Sequence, residues 1–388
     1  MNTPSSSVGP FDHQPRTRIV FGIAAAARVG ELARETGMKR VLLVTDPGVV
    51  AAGHAERVRQ SLDKAGIATV LFDKVRENPT TADVEACLAV ARNTGLDGIA
   101  GLGGGSSMDT AKGCNFLLTN GGRMRDYWGV GKAARPMLPL IAIPTTAGTG
   151  SECQSFALIA DAETHQKMAC GDAKAAARIA ILDPELTLSQ PPRVAACTGI
   201  DALSHALETA VSKKRNALSL AYSREAWRLC GTSLPLVLQK VGQIEARAGM
   251  LLGAALGGLA IENSMLGAAH AAANPLTAHF RLAHGQAVGL MLPSVIRFNA
   301  ADPATARLYD ELDETKAAGL AARMEWLLNL AGMPRSLAEC GVTPSSIPLL
   351  AAEASKQWTA GFNPRPVGEK DFLGLFEAAF EPRGPGAP

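Results

Sequence analysis

A carboxylate and an imidazole four residues apart are the first chemistry this chain offers. In TGIDALSHALE, Asp201 and His205 fall on one face of a helix, because residues i and i+4 are neighbours there. Downstream, LGAAHAAANPLTAHFRLAHGQAVG adds His270, His279 and His284. One carboxylate with two or three imidazoles suits a divalent first-row metal such as Fe2+ or Zn2+. A lone histidine is ordinarily a surface or hydrogen-bonded core residue. An Asp-x-x-x-His followed by further histidines in an Ala- and Gly-rich helical region points the other way. A Ser-His-Asp reading of Ser204, His205 and Asp201 has less behind it, since nothing resembles a nucleophile elbow or an oxyanion loop.

A second constellation lies upstream. GLGGGSSMDTAK, Gly101 to Lys112, follows the strand-like GIA and leads into a helix. Gly103, Gly104 and Gly105 allow the backbone to come close to a ligand, and Ser106 with the first helical N–H groups forms an anion site. The segment is not a strict G-x-G-x-x-G fingerprint, and it does not sit at the first strand–helix turn. Its acidic partner comes earlier, as Asp46 at the end of RVLLVTD. A carboxylate there could accept hydrogen bonds from ribose hydroxyls and repel a 2′-phosphate, favouring NAD over NADP; the plainer role is a helix N-cap. IPTTAGTGSE adds Thr145, Thr146 and Thr149 on a third turn. Three polar turns at strand ends point to a phosphate and ribose site rather than to three unrelated loops.

These turns must be held by a scaffold. TRIVFG, RVLLVTD, ATVLFD, GIAGLGGG, LIAIPTT and ARIAILD each read as a strand, with helical stretches between them. Such alternation predicts a parallel sheet covered by helices, which binds ligands at the carboxyl ends of its strands. Beyond Pro191-Pro192 the strand signal almost vanishes and long Ala- and Leu-rich helices follow, including NALSLAYSREAWRLCGTSLPLVLQKV. The boundary is expected near LSQPP, giving an α/β dinucleotide-binding domain over residues 1–190 and an all-helical metal and substrate domain over 191–388. The tail EPRGPGAP is expected to fray.

Composition narrows the class. The 388 residues are 47% apolar and 19% charged, as in a soluble globular protein with a large core. A formal charge of +2 argues against a nucleic-acid or anionic-membrane partner. Seven scattered cysteines, without a C-x-x-C pair, suit reduced thiols in a cytoplasmic protein. The longest apolar stretch, Ala248 to Ile261, is short for a membrane span and suits a closely packed buried helix.

With these motifs in order, the chain resembles the iron-containing (group III) alcohol dehydrogenases over nearly its whole length. The resemblance runs through IVFG, VTD, NPT (Asn78 to Thr80), GGGSSMDTAK, IPTTAGTGSE, TGIDALSHALE, AHGQAVG and NPR (Asn363 to Arg365). It implies hydride transfer between NAD(H) and a small alcohol or its carbonyl partner, in a cleft between an α/β and a helical domain, in a homodimer. It implies Asp201, His205, His270 and His284 as ligands of Fe2+, with Zn2+ as the other candidate. For NAD it implies Asp46, Gly103, Gly104, Gly105, Ser106, Asp109, Thr145, Thr146 and Thr149, with Lys167 and Leu186. Several relatives carry a further histidine where this chain has Asn274, a position that would contact substrate or cofactor. An amide cannot exchange a proton near neutral pH, so a relay would run through water, a ribose hydroxyl or His279. Hydroxyacid–oxoacid transhydrogenase, maleylacetate reductase and a dehydroquinate synthase-like lyase share the architecture and are the alternatives.

Overall fold

The computed structural model describes residues 10–164, 166–239 and 243–381. All but the first residue of the tail expected to fray, 382–388, and the end of one expected helix, 240–241, lie outside the described residues.

Six segments form a wholly parallel sheet: β1 (Arg18–Phe21), β2 (Arg40–Val44), β3 (Ala68–Phe72), β4 (Gly98–Gly103), β6 (Leu140–Pro144) and β9 (Ile179–Leu182). These are the six strands expected from sequence. Their apolar runs are unbroken because both faces are covered. In β2, Leu42 and Val44 enter one core with Phe72 and Ile99, while Val41 and Leu43 enter another with Leu102, Ile141 and Ile181. Successive side chains point to opposite faces, so one strand feeds both cores.

Strand order is β1-β9-β6-β4-β2-β3. From β2 the chain goes outward to β3, then returns to place β4 on the other side of β2. That reversal between β2 and β4 is the kind of switch point where open α/β sheets bind ligands. The turns after β2, β4 and β6, three adjacent strands, are the three turns singled out by sequence.

A smaller sheet was not expected. Here β5 (Gly129–Val130) pairs in parallel with β8 (Lys167–Gly171), and β8 pairs antiparallel with β7 (Phe156–Ala160). Among the described residues no strand lies beyond Leu182, and helices carry the rest of the chain.

The chain divides into two compact units. One joins Pro15–Thr198 to Thr232–Gly258 and contains both sheets. The other joins Gly199–Gly231 to residues 259–381, together with residues 10–14. The change from strands to helices occurs where LSQPP lies, but the units part at Thr198–Gly199, inside the helix Pro192–Val211. Pro192 starts that helix, because its missing N–H costs nothing in a first turn; it does not mark the division.

The helix Ile244–Asn263 is long and apolar enough to cross a membrane, with 61% of its most apolar window buried in the protein. Its small residues serve close packing. A Cβ on Gly258 would lie 2.3 Å from the Gly150 carbonyl oxygen, so only glycine lets the two backbones pass.

Candidate functional site: a donor cluster and a glycine turn

In the helical unit, Asp201, His205 and Glu208 lie on the helix Pro192–Val211 at spacings of four and three, which put them on one face. His270 stands in the first turn of the helix Ala268–Phe280, and His284 is the first residue of the helix His284–Ala300. Asp201, His270 and His284 each bring one ligand atom within 4.8 Å of the others. The Nε2 atoms of His205, His270 and His284 lie 3.4, 3.5 and 3.9 Å from Asp201 Oδ1. The His205 and His270 rings stack with centroids 5.0 Å apart.

Asp201 Oδ1 and His270 Nε2 are buried and have no hydrogen-bond partner among the described residues. Such groups are costly unless a ligand completes them. The donor set and the two orphaned atoms fit a divalent metal. Burial alone would raise the Asp201 carboxyl, but His205, His270 and His284 hold it below the usual carboxylate range. For His270, burial pulls downward, and Glu208 and Asp201 overcome it, pushing the imidazole up to about 9.

One expectation changes here. His279 leaves the site: its Nε2 pairs with Glu353 Oε2 at 2.8 Å on the surface. Nine residues after His270 on one helix is half a turn out of phase, so the ring must face away. Asn274, four residues after His270, shares the His270 face, and its amide donates to Gln357 Oε1 at 2.9 Å.

In the strand-bearing unit the three turns do meet. Gly103 has φ of +147°, and a Cβ there would lie 2.3 Å from Ser107 Oγ and 3.0 Å from Asp46 Oδ2. A Cβ on Gly104 would reach Thr146 Oγ1 at 3.3 Å, and one on Gly105 would reach Thr149 Cγ2 at 2.8 Å. The Thr145 N–H donates to the Gly103 carbonyl at 2.9 Å. Among the described residues no side chain caps the helix Gly105–Asn120, so the N–H groups of its first turn suit an anionic ligand. Asp46 does serve as the N-cap of Pro47–Ala51, accepting from Val49 N–H at 3.0 Å through Oδ1. Its other oxygen, Oδ2, faces the glycine turn and accepts from Ser107 Oγ at 3.5 Å, so capping takes up only one of the two oxygens.

Of the remaining cofactor candidates, Asp109 and Leu186 are buried, Ser106 is half-buried and Lys167 is exposed. Ser106 Oγ accepts from Asn78 N–H at 3.2 Å. Asp109 is buried and accepts from Ser151 Oγ at 2.9 Å; burial raises its carboxyl, while Lys112, Ser151 and Lys167 pull it back. Lys167 begins β8. Leu186 packs into the core with Val49 and Ile181, so it is a wall residue of the sheet unit.

Sequence reasoning missed a buried polar group behind this turn. Lys112 is fully buried, and its Nζ donates to Ser151 O at 2.7 Å, Ser151 Oγ at 2.9 Å and Phe156 O at 2.9 Å. Beside it, burial pushes the Glu152 carboxyl up to about 7, with its own backbone N–H and Lys112 offsetting part of the rise. The folded protein therefore keeps a proton that the unfolded chain releases near 4.5. Stability contributed by this group falls as pH rises from about 4.5 to about 7, then stays level. Glu152→Gln is expected to remove that slope and to gain about 2–3 kcal/mol over the parent at pH 8, with little difference at pH 4. Urea unfolding at both pH values measures it; parallel stability curves for the two proteins would refute the assignment.

Comparison with known proteins agrees with both halves. Residues 15–184 match the family model for iron-containing alcohol dehydrogenase, and residues 195–380 match the model for the C-terminal part of the Fe-containing alcohol dehydrogenase family. The NAD-dependent methanol dehydrogenase of Bacillus methanolicus is 34% identical over 370 residues, covering 93% of this chain and 97% of that protein. A crystal structure of 1,3-propanediol oxidoreductase superposes with a TM-score of 0.91 at 32% identity, covering 96% of this chain and 100% of that one. The NAD+ complex of sulfoacetaldehyde reductase from Bifidobacterium kashiwanohense gives a TM-score of 0.88 at 27% identity, over 96% and 99% of the two chains.

Proposed function

Since the chain belongs to the iron-containing alcohol dehydrogenase family, we propose that it is an NAD-dependent oxidoreductase that moves a hydride between nicotinamide and a small alcohol or its carbonyl partner. The observation that carries this reading is the buried donor cluster, in which Asp201 Oδ1 and His270 Nε2 are left without protein partners among the described residues. Asp201, His205, His270 and His284 would hold a divalent metal, with Fe2+ as the proposed ion and Zn2+ as its competitor. When bound, such a metal supplies polarisation of the substrate oxygen.

The chain's own residues then have defined tasks. The turn from Gly103 to Ser106, with the N-terminus of the following helix, binds the pyrophosphate of NAD. Asp46 Oδ2 accepts from the ribose hydroxyls, and its charge opposes a 2′-phosphate, so NADH is favoured over NADPH. Asn274, one helical turn from His270, offers an amide to the substrate or nicotinamide but moves no proton. No side chain has to act as nucleophile, because the hydride passes directly between the two carbons. Seven free thiols support a reducing, cytoplasmic setting.

The direct test is NADH oxidation with a panel of small aldehydes and ketones. The protein is stripped of metal and then refilled anaerobically with Fe2+ or Zn2+. Activity lost on stripping and restored by one metal supports the reading. Failure of both metals to restore turnover on any carbonyl, in protein that still binds NADH, overturns it.

A further inference from the structure

A lone glutamate such as Glu208, near the end of a helix, usually faces water. It is instead buried, and both its oxygens are engaged. Oε2 accepts from His270 Nδ1 at 2.5 Å, and Oε1 accepts from the Ala269 N–H at 2.7 Å. Both donors belong to the first turn of the helix Ala268–Phe280, whose leading N–H groups have no intrahelical partners. The neighbouring Ala268 N–H goes to Asn363 Oδ1 at 3.3 Å, and Asn363 in turn pairs with Asn299 through Nδ2–H to Oδ1 at 2.7 Å. The start of the helix is thus held from two sides by buried side chains.

We propose that Glu208 is a positioning residue that holds the Nδ1–H of His270 and so leaves Nε2, the nitrogen that faces Asp201 Oδ1, as the one to ligate a metal. The inference rests on the metal reading above and adds a requirement to it. An imidazole ligates through an unprotonated nitrogen, and the partner of its other nitrogen decides which one that is. With Nδ1–H given to Glu208, the nitrogen left to ligate is Nε2, 3.5 Å from Asp201 Oδ1. The same carboxylate anchors the backbone beside the ring, so ring rotation and helix position are set together.

Glu208→Gln separates orientation from simple capping. If the amide oxygen keeps the Ala269 N–H, the amide NH2 faces His270 Nδ1 and drives the ring proton to Nε2. If the amide flips, NH2 meets the Ala269 N–H, donor against donor. Side-chain shape is retained, but both bonds cannot be.

The experiment titrates Zn2+ into metal-free wild type and Glu208→Gln by calorimetry, with thermal melting and NADH binding followed in parallel. The expected result is about 10–100-fold weaker Zn2+ binding by the variant, with NADH affinity unchanged. Equal Zn2+ affinity in the two proteins overturns the proposal while leaving the metal reading intact. A wild type that binds no divalent metal overturns that reading and this one with it. Should the variant fail to fold, 15N shifts of the His270 ring in zinc-loaded wild type decide. A protonated Nδ1 with a metallated Nε2 is expected, and the reverse assignment overturns the proposal.

Discussion

Asp201→Asn is expected to lower kcat/KM for alcohol oxidation by about a thousand-fold or more, while NADH affinity stays near that of the parent. The aspartate sits among three imidazoles and supplies the carboxylate to which all three Nε2 atoms turn. An asparagine keeps the shape but loses the charge, so the divalent ion is held weakly and the polarisation it supplies is lost. That polarisation is worth several kcal/mol in a transition state, and each 1.36 kcal/mol is a factor of ten in rate. The cofactor turn belongs to the other compact unit, which is why binding of NADH should survive. Steady-state kinetics with metal content measured by atomic emission tests both parts. A variant that keeps full metal and full rate would remove Asp201 from the site.

The second large effect is expected at Gly103. Its φ of +147° is open to glycine and strained for an L side chain, and a Cβ would also press on Ser107 and Asp46. Strain and crowding each cost about 1–3 kcal/mol, so Gly103→Ala should destabilise the strand-bearing unit by about 2–6 kcal/mol. It should also weaken NADH binding at least about tenfold, since each 1.4 kcal/mol lost by displacing the turn is a factor of ten. Gly22 provides the control. It has a similar φ of +151°, but a Cβ there meets nothing within 4 Å. Gly22→Ala should therefore show the strain alone and leave NADH affinity untouched. Equal losses in both variants would mean that crowding behind the turn does not matter.

The parts of the fold legible in the sequence were those in which local pattern and burial agree. The six strands of the main sheet are continuous apolar runs because helices cover both faces, and each ends in a turn residue. The small sheet was hidden for the opposite reason. KMACG in β8 has little intrinsic strand preference, and β5 is a two-residue segment, so pairing in the tertiary fold creates them. At the donor cluster, residue type drew in His279 along with His270, and helical phase then separated them. Phase also held the missed signal: Glu208 follows His205 by three and Asp201 by seven, on the ligand face of the same helix. Lys112 and Glu152 could not be placed from sequence, because only the folded turn shows that they are enclosed.

The strand-bearing unit is not one continuous stretch of chain, and this has a bearing on synthesis. All of its strands have left the ribosome once Leu182 has, yet the stretch Thr232–Gly258 that completes the unit is still to come. Until then the backbone of Gly150, in the threonine turn, lacks the Gly258 backbone that packs directly against it. A nascent chain can therefore assemble its sheet early but must wait to finish the loop that borders the cofactor turn. Fragments ending near residue 198 would stop at that same half-built stage, and should be handled as folding intermediates, not as a free-standing nucleotide-binding domain.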